Sequence, residues 1–274
     1  MSNFLDHRAL THDRVLIVPR ISLAALQAVT SGDALAFIVP QYYTTADCAL
    51  FTRRLLSFDR WTSYETGTGA EAIGTLGSSL FGCLGQEFCE SYFDGAAEMM
   101  AAISDHFSPF AYPIDRVIRE LDLVWPHGAS LWRVNGRVCF AGLARMFRSG
   151  GAALPHDDRA DIDFPAEETS ASLDQLFINV YCSKTVGGGK LQIWDRRITD
   201  RAEYDRLRDG DSYGLCRDVL GEPEVTIDPP LGGLLIGSAR RIHAVTACEG
   251  EGVRLSVSSF IQYAGDNRPL FVHS

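Results

Sequence analysis

The order of elements along the chain predicts an α+β fold, with helices packed on the outside of an antiparallel sheet of the closed or sandwiched, jelly-roll kind. Two observations carry this expectation. Residues 20–125 repeat apolar side chains at helical spacings, whereas residues 130–265 break into short runs of strand-forming residues. Glycine-rich turns punctuate the second half, as at Ser149-Gly150-Gly151 and Gly187-Gly188-Gly189. No repeat or low-complexity linker divides the 274 residues. A single domain is expected, mainly helical support over about 1–125 and mainly β over about 126–270.

The elements follow in order. Ser22 is placed to cap a short helix through Val29. Ala34 to Val39 reads as a strand, stopped by Pro40. Thr44 or Thr45 can cap the next helix, which sets Cys48, Phe51 and Leu55 on one face. Phe88, Tyr92, Ala96, Met99, Ile103 and Phe107 recur at spacings of three and four, the pattern of a long amphipathic helix. Pro113 opens another, with Asp115 in its first turn and Ile114, Val117, Ile118 and Leu121 on its buried stripe. Between them, the glycine-rich segment 67–82 has neither phosphate-binding spacing, and it reads as a mobile loop over a site. In the second half, VCFAGLARMF (138–147) reads as a strand, and LFINVYC (176–182) and KLQIWD (190–195) as a hairpin about the triple-glycine turn. Leu234–Ser238 and Arg254–Gln262 read as two more strands.

Composition excludes several classes. The formal charge is -10 and no basic stripe with interleaved aromatics occurs, which argues against nucleic-acid binding. No run approaches the ~18 apolar residues of a membrane span. The start, MSNFLDHRALTHDR, lacks the pattern of a secretory signal. The seven cysteines are scattered without a CxxC pair and read as reduced thiols, most of them core filler. A cytoplasmic protein acting on a small molecule, monomer or homodimer, is the expectation.

The strongest local signal is Pro155-His156-Asp157-Asp158, which follows a strand and a glycine turn. Side chains two residues apart on extended chain point the same way, so His156 and Asp158 can converge on one metal ion. Asp157 is the competing carboxylate, and HxD spacing favours Asp158. Of the seven histidines, His243 lies just after the apolar run LLIGS and is best placed to complete a triad from a distant strand. Two imidazoles and one carboxylate with open positions suit non-haem iron(II) and oxygen chemistry. Arg254-Leu255-Ser256 begins eleven residues after His243. A guanidinium and a hydroxyl on one strand face can bind a carboxylate. The competing expectation is an Arg254 paired with one of the chain's own acids.

HxD, a distant His and then R-x-S together resemble the iron(II)- and 2-oxoglutarate-dependent oxygenases. Gly188-Gly189-Lys190-Leu191-Gln192-Ile193-Trp194-Asp195 is similar to the GGxLxxWD-like segment of that superfamily. Pro230-Leu231-Gly232-Gly233-Leu234-Leu235-Ile236 is similar to the turn and strand before its distal histidine. The helical first half, the glycine-containing segment 67–82 and R-x-F-x-x-G from Arg145 to Gly150 resemble the bacterial group of carrier-independent halogenases and amino-acid hydroxylases.

The resemblance implies a double-stranded β-helix core (jelly-roll, cupin-like) over about 126–270 with N-terminal supporting helices. It implies His156, Asp158 and His243 as iron(II) ligands, and Arg254 and Ser256 as holders of the distal carboxylate of 2-oxoglutarate. O2 is the co-substrate and ascorbate a candidate stimulant. Halogenases of this kind replace the carboxylate ligand by Gly or Ala. Asp158 is present here, so oxygen transfer is expected: hydroxylation of an unactivated carbon of a small molecule, such as an amino-acid derivative or natural-product intermediate. Desaturation, epoxidation or oxidative ring closure with the same cofactors is one alternative, and a non-enzymatic cupin-like binding module is another. Arg145 and Arg133 are candidates for a substrate carboxylate or phosphate, and Trp61 and Phe147 for an apolar wall.

Overall fold

The computed structural model describes residues 13–63, 72–80, 90–159, 173–208, 210 and 213–274. In chain order these form β1 (Val15–Ile17), α1 (Leu23–Ser31), β2 (Ala36–Val39), α2 (Thr45–Leu56), β3 (Thr62–Ser63), β4 (Ile73–Leu76), α3 (Glu90–Phe107) and α4 (Pro113–Val124). There follow β5 (Ala129–Leu131), β6 (Arg133–Val134), β7 (Arg137–Val138), β8 (Leu143–Phe147), β9 (Ala153–His156), β10 (Asp174–Tyr181) and β11 (Leu191–Arg197). The last elements are α5 (Arg201–Leu207), α6 (Arg217–Leu220), β12 (Val225–Ile227), β13 (Leu234–Ser238), β14 (Arg241–Val245), β15 (Arg254–Tyr263) and β16 (Leu270–His273).

The helices start and stop where local chemistry dictates. The Ser22 hydroxyl accepts the Ala25 N–H, and α1 ends at Gly32 in a left-handed conformation that glycine adopts without strain. Thr44 and Asp47 cap α2 reciprocally, leaving Cys48, Phe51 and Leu55 buried. α3 buries Tyr92, Ala96, Ile103 and Phe107 of the expected stripe, and Phe88 lies outside the described residues. Pro113 opens α4 above Val117 and Leu121. Parts of 67–82 also lie outside the described residues, and 73–76 of that segment is β4, a strand rather than loop. Among the described residues no helix is long and apolar enough to cross a membrane.

A ten-stranded mixed sheet runs β1-β2-β13-β10-β15-β8-β4-β3, with β16 on β15 and β5 on β16. A four-stranded antiparallel sheet, β12-β11-β14-β9, lies against one of its faces. Strand periodicity divides the core accordingly. On β10, Leu176, Ile178 and Val180 point into the large core shared with the helices. Phe177 and Tyr181 point the other way, against Leu191 and Ile193 of β11 and Val225 and Ile227 of β12. The result is two packed sheets with helices on the outside of the larger one, not a closed barrel among the described residues.

Two sequence expectations are corrected. LFINVYC and KLQIWD are strands but not a hairpin: β10 pairs with β13 and β15, and β11 with β12 and β14. The Gly187–Gly189 turn carries the chain from one sheet to the other. Residues 138–147 are not one strand, because Gly142 takes φ 91°. A Cβ there would stand 2.6 Å from the Tyr112 ring. Asn135-Gly136, both at positive φ, closes a further small hairpin, β6–β7, of the kind that Asn-Gly between short strand-forming runs signals.

Candidate metal centre

The two sheets converge on a three-residue cluster. His156 ends β9, and His243 stands directly across from it on β14 in antiparallel register. The two rings lie 4.5 Å apart, centre to centre. Asp158 follows two residues after His156 and is pinned by its backbone N–H, which donates to the Ala239 carbonyl at 2.9 Å. Its Oδ2 lies 3.2 Å from His243 Nε2 and 3.8 Å from His156 Nε2. One ligand atom from each of the three residues falls within 4.8 Å of the others. Among the described residues this is the one such group.

The histidines are oriented from behind. His156 Nδ1 lies 2.6 Å from the Leu154 carbonyl, and His243 Nδ1 lies 2.9 Å from the Arg241 carbonyl. A carbonyl only accepts, so Nδ1 carries a proton in each ring and Nε2 points into the cluster. This is the outer support that metal-bound histidines use. Burial, reinforced by neighbouring His243, pushes the His156 imidazole down to about 4, so it is neutral near pH 7. Burial acts to raise Asp158, but His156 and the hydrogen bond from His243 outweigh it and hold the carboxyl down to about 2. Burial also opposes charge on His243, yet its contact with Asp158 wins and raises it. The set therefore offers one anion, one neutral ring, and a second ring whose Nε2 proton, held by Asp158, a metal ion would displace.

Beside the cluster opens a cavity of about 120 Å³, lined by residues of both sheets. Phe147, Phe177, Leu191, Val245 and Phe260 form apolar walls, and Arg145, Asn179, Arg254, Ser256 and Ser258 form a polar floor. Arg254, the first residue of β15, is 5% exposed, and its guanidinium sits 4.9 Å from the Phe147 ring and 5.1 Å from the Tyr181 ring. Its Nε has no hydrogen-bond partner, and among the described residues no carboxylate pairs with it. Among the described residues, the internal acid partner that the sequence also allows is not present. Gly189 makes the room: a Cβ on it would stand 2.8 Å from Arg254 Cδ. The triple-glycine turn thus serves the arginine, a link that spacing alone does not reveal.

The cavity takes in His156, Asp158, His243, Arg254, Ser256, Arg145 and Phe147, all candidates from the sequence. It also touches Asp157, 6% exposed, but Asp157 is not part of the three-residue cluster. Arg133 is placed elsewhere. It is exposed on the β6–β7 hairpin and donates to the Gly136 carbonyl, because the Asn135-Gly136 turn swings that segment off the large sheet. Trp61 is also absent from the lining. Its indole N–H donates to the Leu55 carbonyl, and its ring packs on the helical core. Tyr204 and Tyr213 were missed. They reach the cavity from the segment after β11, where the Leu154 N–H donates to the Tyr213 hydroxyl. Asn179 and Ser258 were missed as well, although a lone Asn inside the apolar run LFINVYC was a visible signal.

No protein-family model and no curated protein sequence matches the chain. Solved structures do. An N-substituted L-amino acid dioxygenase from Burkholderia ambifaria AMMD superposes with a TM-score of 0.60 at 16% identity, covering 92% of this chain and 91% of that one. The same protein in complex with alpha-KG gives 0.56 at 15% identity, covering 92% and 90%. HygX from Streptomyces hygroscopicus, with nickel and 2-oxoglutarate bound, gives 0.53 at 12% identity, covering 88% and 87%. At these identities the likeness establishes a common fold over nearly the whole chain.

Proposed function

We propose that the chain is an iron(II)- and 2-oxoglutarate-dependent oxygenase that hydroxylates an unactivated carbon of a small molecule. The observation that carries this is the pairing of two sites in one cavity: a two-histidine, one-carboxylate cluster, and a buried arginine that has no counter-ion among the described residues. His156, Asp158 and His243 would hold the metal, and their donor set suits iron(II). Arg254, with Ser256 beside it on the same strand face, would receive the distal carboxylate of 2-oxoglutarate. The solved structures of this fold include two that hold this cosubstrate.

Bound together, iron(II), 2-oxoglutarate and O2 supply oxidative decarboxylation and the removal of hydrogen from an unreactive carbon. The chain's own residues supply position and dryness. The Leu154 and Arg241 carbonyls fix both imidazoles, while Phe147 and Tyr181 hold the guanidinium from its two sides. Phe177, 5.2 Å from the His243 ring, and Phe260 keep water from the reacting carbon. An intact Asp158 fills the position that halogenation leaves for a halide, which supports oxygen transfer.

The test is O2-dependent conversion of 2-oxoglutarate to succinate with added iron(II). The wild type is expected to turn over, with a substrate gaining one oxygen by mass. Asp158→Ala is expected to lose turnover by more than about a hundredfold, as loss of a metal ligand requires. A wild type and Asp158→Ala that are equally inert would leave only a cupin-like binding module. A product lighter by two hydrogens would replace hydroxylation by desaturation or ring closure.

A further inference from the structure

The oxygenase reading accounts for one of the two arginines on the cavity floor. β8, β15 and β10 are adjacent, and Arg145 stands opposite Ser256 while Ser258 stands opposite Asn179. Arg145, Ser258 and Asn179 therefore form a polar strip across three strands, all facing the cavity. Arg145 Nη1 donates to Ser258 Oγ at 2.8 Å, and the Ser258 hydroxyl donates onward to the Leu143 carbonyl at 3.0 Å. The serine oxygen is thus committed as an acceptor and fixes the guanidinium through one of its donors. The remaining donors of Arg145 have no partner among the described residues, and no carboxylate pairs with it. The Asn179 side chain likewise has no hydrogen-bond partner there, although an amide offers both a donor and an acceptor.

Charge makes this strip informative. A divalent metal, Asp158, Arg254 and dianionic 2-oxoglutarate cancel one another, so Arg145 remains as a half-buried positive charge in a cavity with aromatic lining residues. Asp157 also lines the cavity, but among the described residues no hydrogen bond or ion pair joins it to Arg145. A guanidinium so placed is costly until an anion meets it. Arg145 lines the same cavity as His156, Asp158 and His243, so an anion bound there places the rest of its molecule beside the metal.

We propose that Arg145, held by Ser258 and flanked by Asn179, binds the carboxylate of the substrate. The substrate is then a small organic acid with a hydrogen-bonding group next to its carboxylate, such as an amino acid or its N-acyl derivative. A planar fork matches a carboxylate, and a single arginine matches a monoanion better than a phosphate dianion. Asn179, across the strand pair from Ser258, meets the neighbouring N–H or C=O. The proposal rests on the oxygenase reading and deepens it.

The other source of a carboxylate is the keto-acid end of 2-oxoglutarate, and the experiment separates the two. The probes are free and N-acyl amino acids, each paired with its primary amide. Their stimulation of succinate release is measured in the iron-loaded protein, and their binding by calorimetry in the manganese- and 2-oxoglutarate-loaded protein without O2. Acids should bind and stimulate, with their amides at least about tenfold weaker. Arg145→Gln should abolish that preference, Arg145→Lys should restore part of it, and Asn179→Ala should weaken acids while leaving the preference for acid over amide. By the same calorimetry, Arg145→Gln should bind 2-oxoglutarate within about twofold of wild type, whereas Arg254→Gln should lose about tenfold or more. A loss of 2-oxoglutarate affinity in Arg145→Gln as large as in Arg254→Gln would overturn the proposal. So would a panel in which no acid binds better than its amide. Failure of the oxygenase reading shows itself separately, as a wild type that binds no 2-oxoglutarate.

Discussion

The two faces of the large sheet are built from the same strands but read as different materials. On β15 the side chains toward the helices include Leu255, Val257 and Ile261, all fully buried in an apolar core. Those toward the smaller sheet are Arg254, Ser256, Ser258, Phe260 and Gln262, of which the first four line the cavity. One face is scaffold and the other is site, separated by a single residue of register. A slip by one residue would bury the arginine among the helices, which makes the helical core the device that fixes the register of the site.

The largest effect expected from this difference is in acid. His273 of β16 stands across from Phe260, 2% exposed, and its Nε2 lies 2.8 Å from Gln262 Nε2. Burial pushes its imidazole down to about 3. The unfolded chain therefore binds a proton near pH 6.5 that the folded chain refuses until about pH 3. Stability rises with pH across that window and is lost as pH falls through it, by up to about 1.4 kcal/mol per pH unit. Denaturant unfolding of metal-free protein, in which His156 adds a loss of the same sign down to about pH 4, measures this. His273→Gln should flatten the slope.

Next in size are two neighbours on opposite faces. Leu176→Ala removes a fully buried side chain from the helical core and should cost about 2–5 kcal/mol of stability while leaving 2-oxoglutarate affinity unchanged. Phe177→Ala, one residue along, should cost a similar amount and also weaken metal binding, because its ring lies beside His243. If both variants altered metal affinity equally, the division between the faces would fail. Arg254→Gln comes next, with about 1.5–3 kcal/mol of 2-oxoglutarate binding lost and much less of stability. Gly189→Ala is the smallest. Its φ of 64° and the close Arg254 side chain predict about 1–2 kcal/mol, divided between backbone strain and cosubstrate affinity, read by unfolding and calorimetry together.

Much of the site was legible in the sequence because it is written at short range. His156 and Asp158 share two-residue spacing, as do Arg254 and Ser256, and the strand period turns such spacing into a common direction. His243 was reached by setting aside the other histidines, but what brings it opposite His156 is the pairing of β14 with β9, far apart in the chain. Long-range pairing was also what misled the hairpin expectation. A glycine turn between two apolar runs records that the chain bends, not that the runs pair, and here their partners come from more than 30 residues downstream. Residue type and proximity in sequence point to Arg133 and Trp61. Their positions depend on the Asn135-Gly136 turn and on one hydrogen bond to Leu55, which those criteria do not weigh. Asn179 and Ser258 acquire meaning only when the register of β8, β15 and β10 sets them beside Arg145.

The proposed function would place a metal at His156, Asp158 and His243 and a 2-oxoglutarate carboxylate at Arg254 in one cavity. Its most direct test is anaerobic addition of iron(II) and then 2-oxoglutarate to the protein, followed by visible absorption. A weak charge-transfer band should develop and saturate with 2-oxoglutarate, require higher concentrations in Arg254→Gln, and be absent in His243→Ala. A wild type that develops no band, and binds no 2-oxoglutarate by calorimetry, would contradict it.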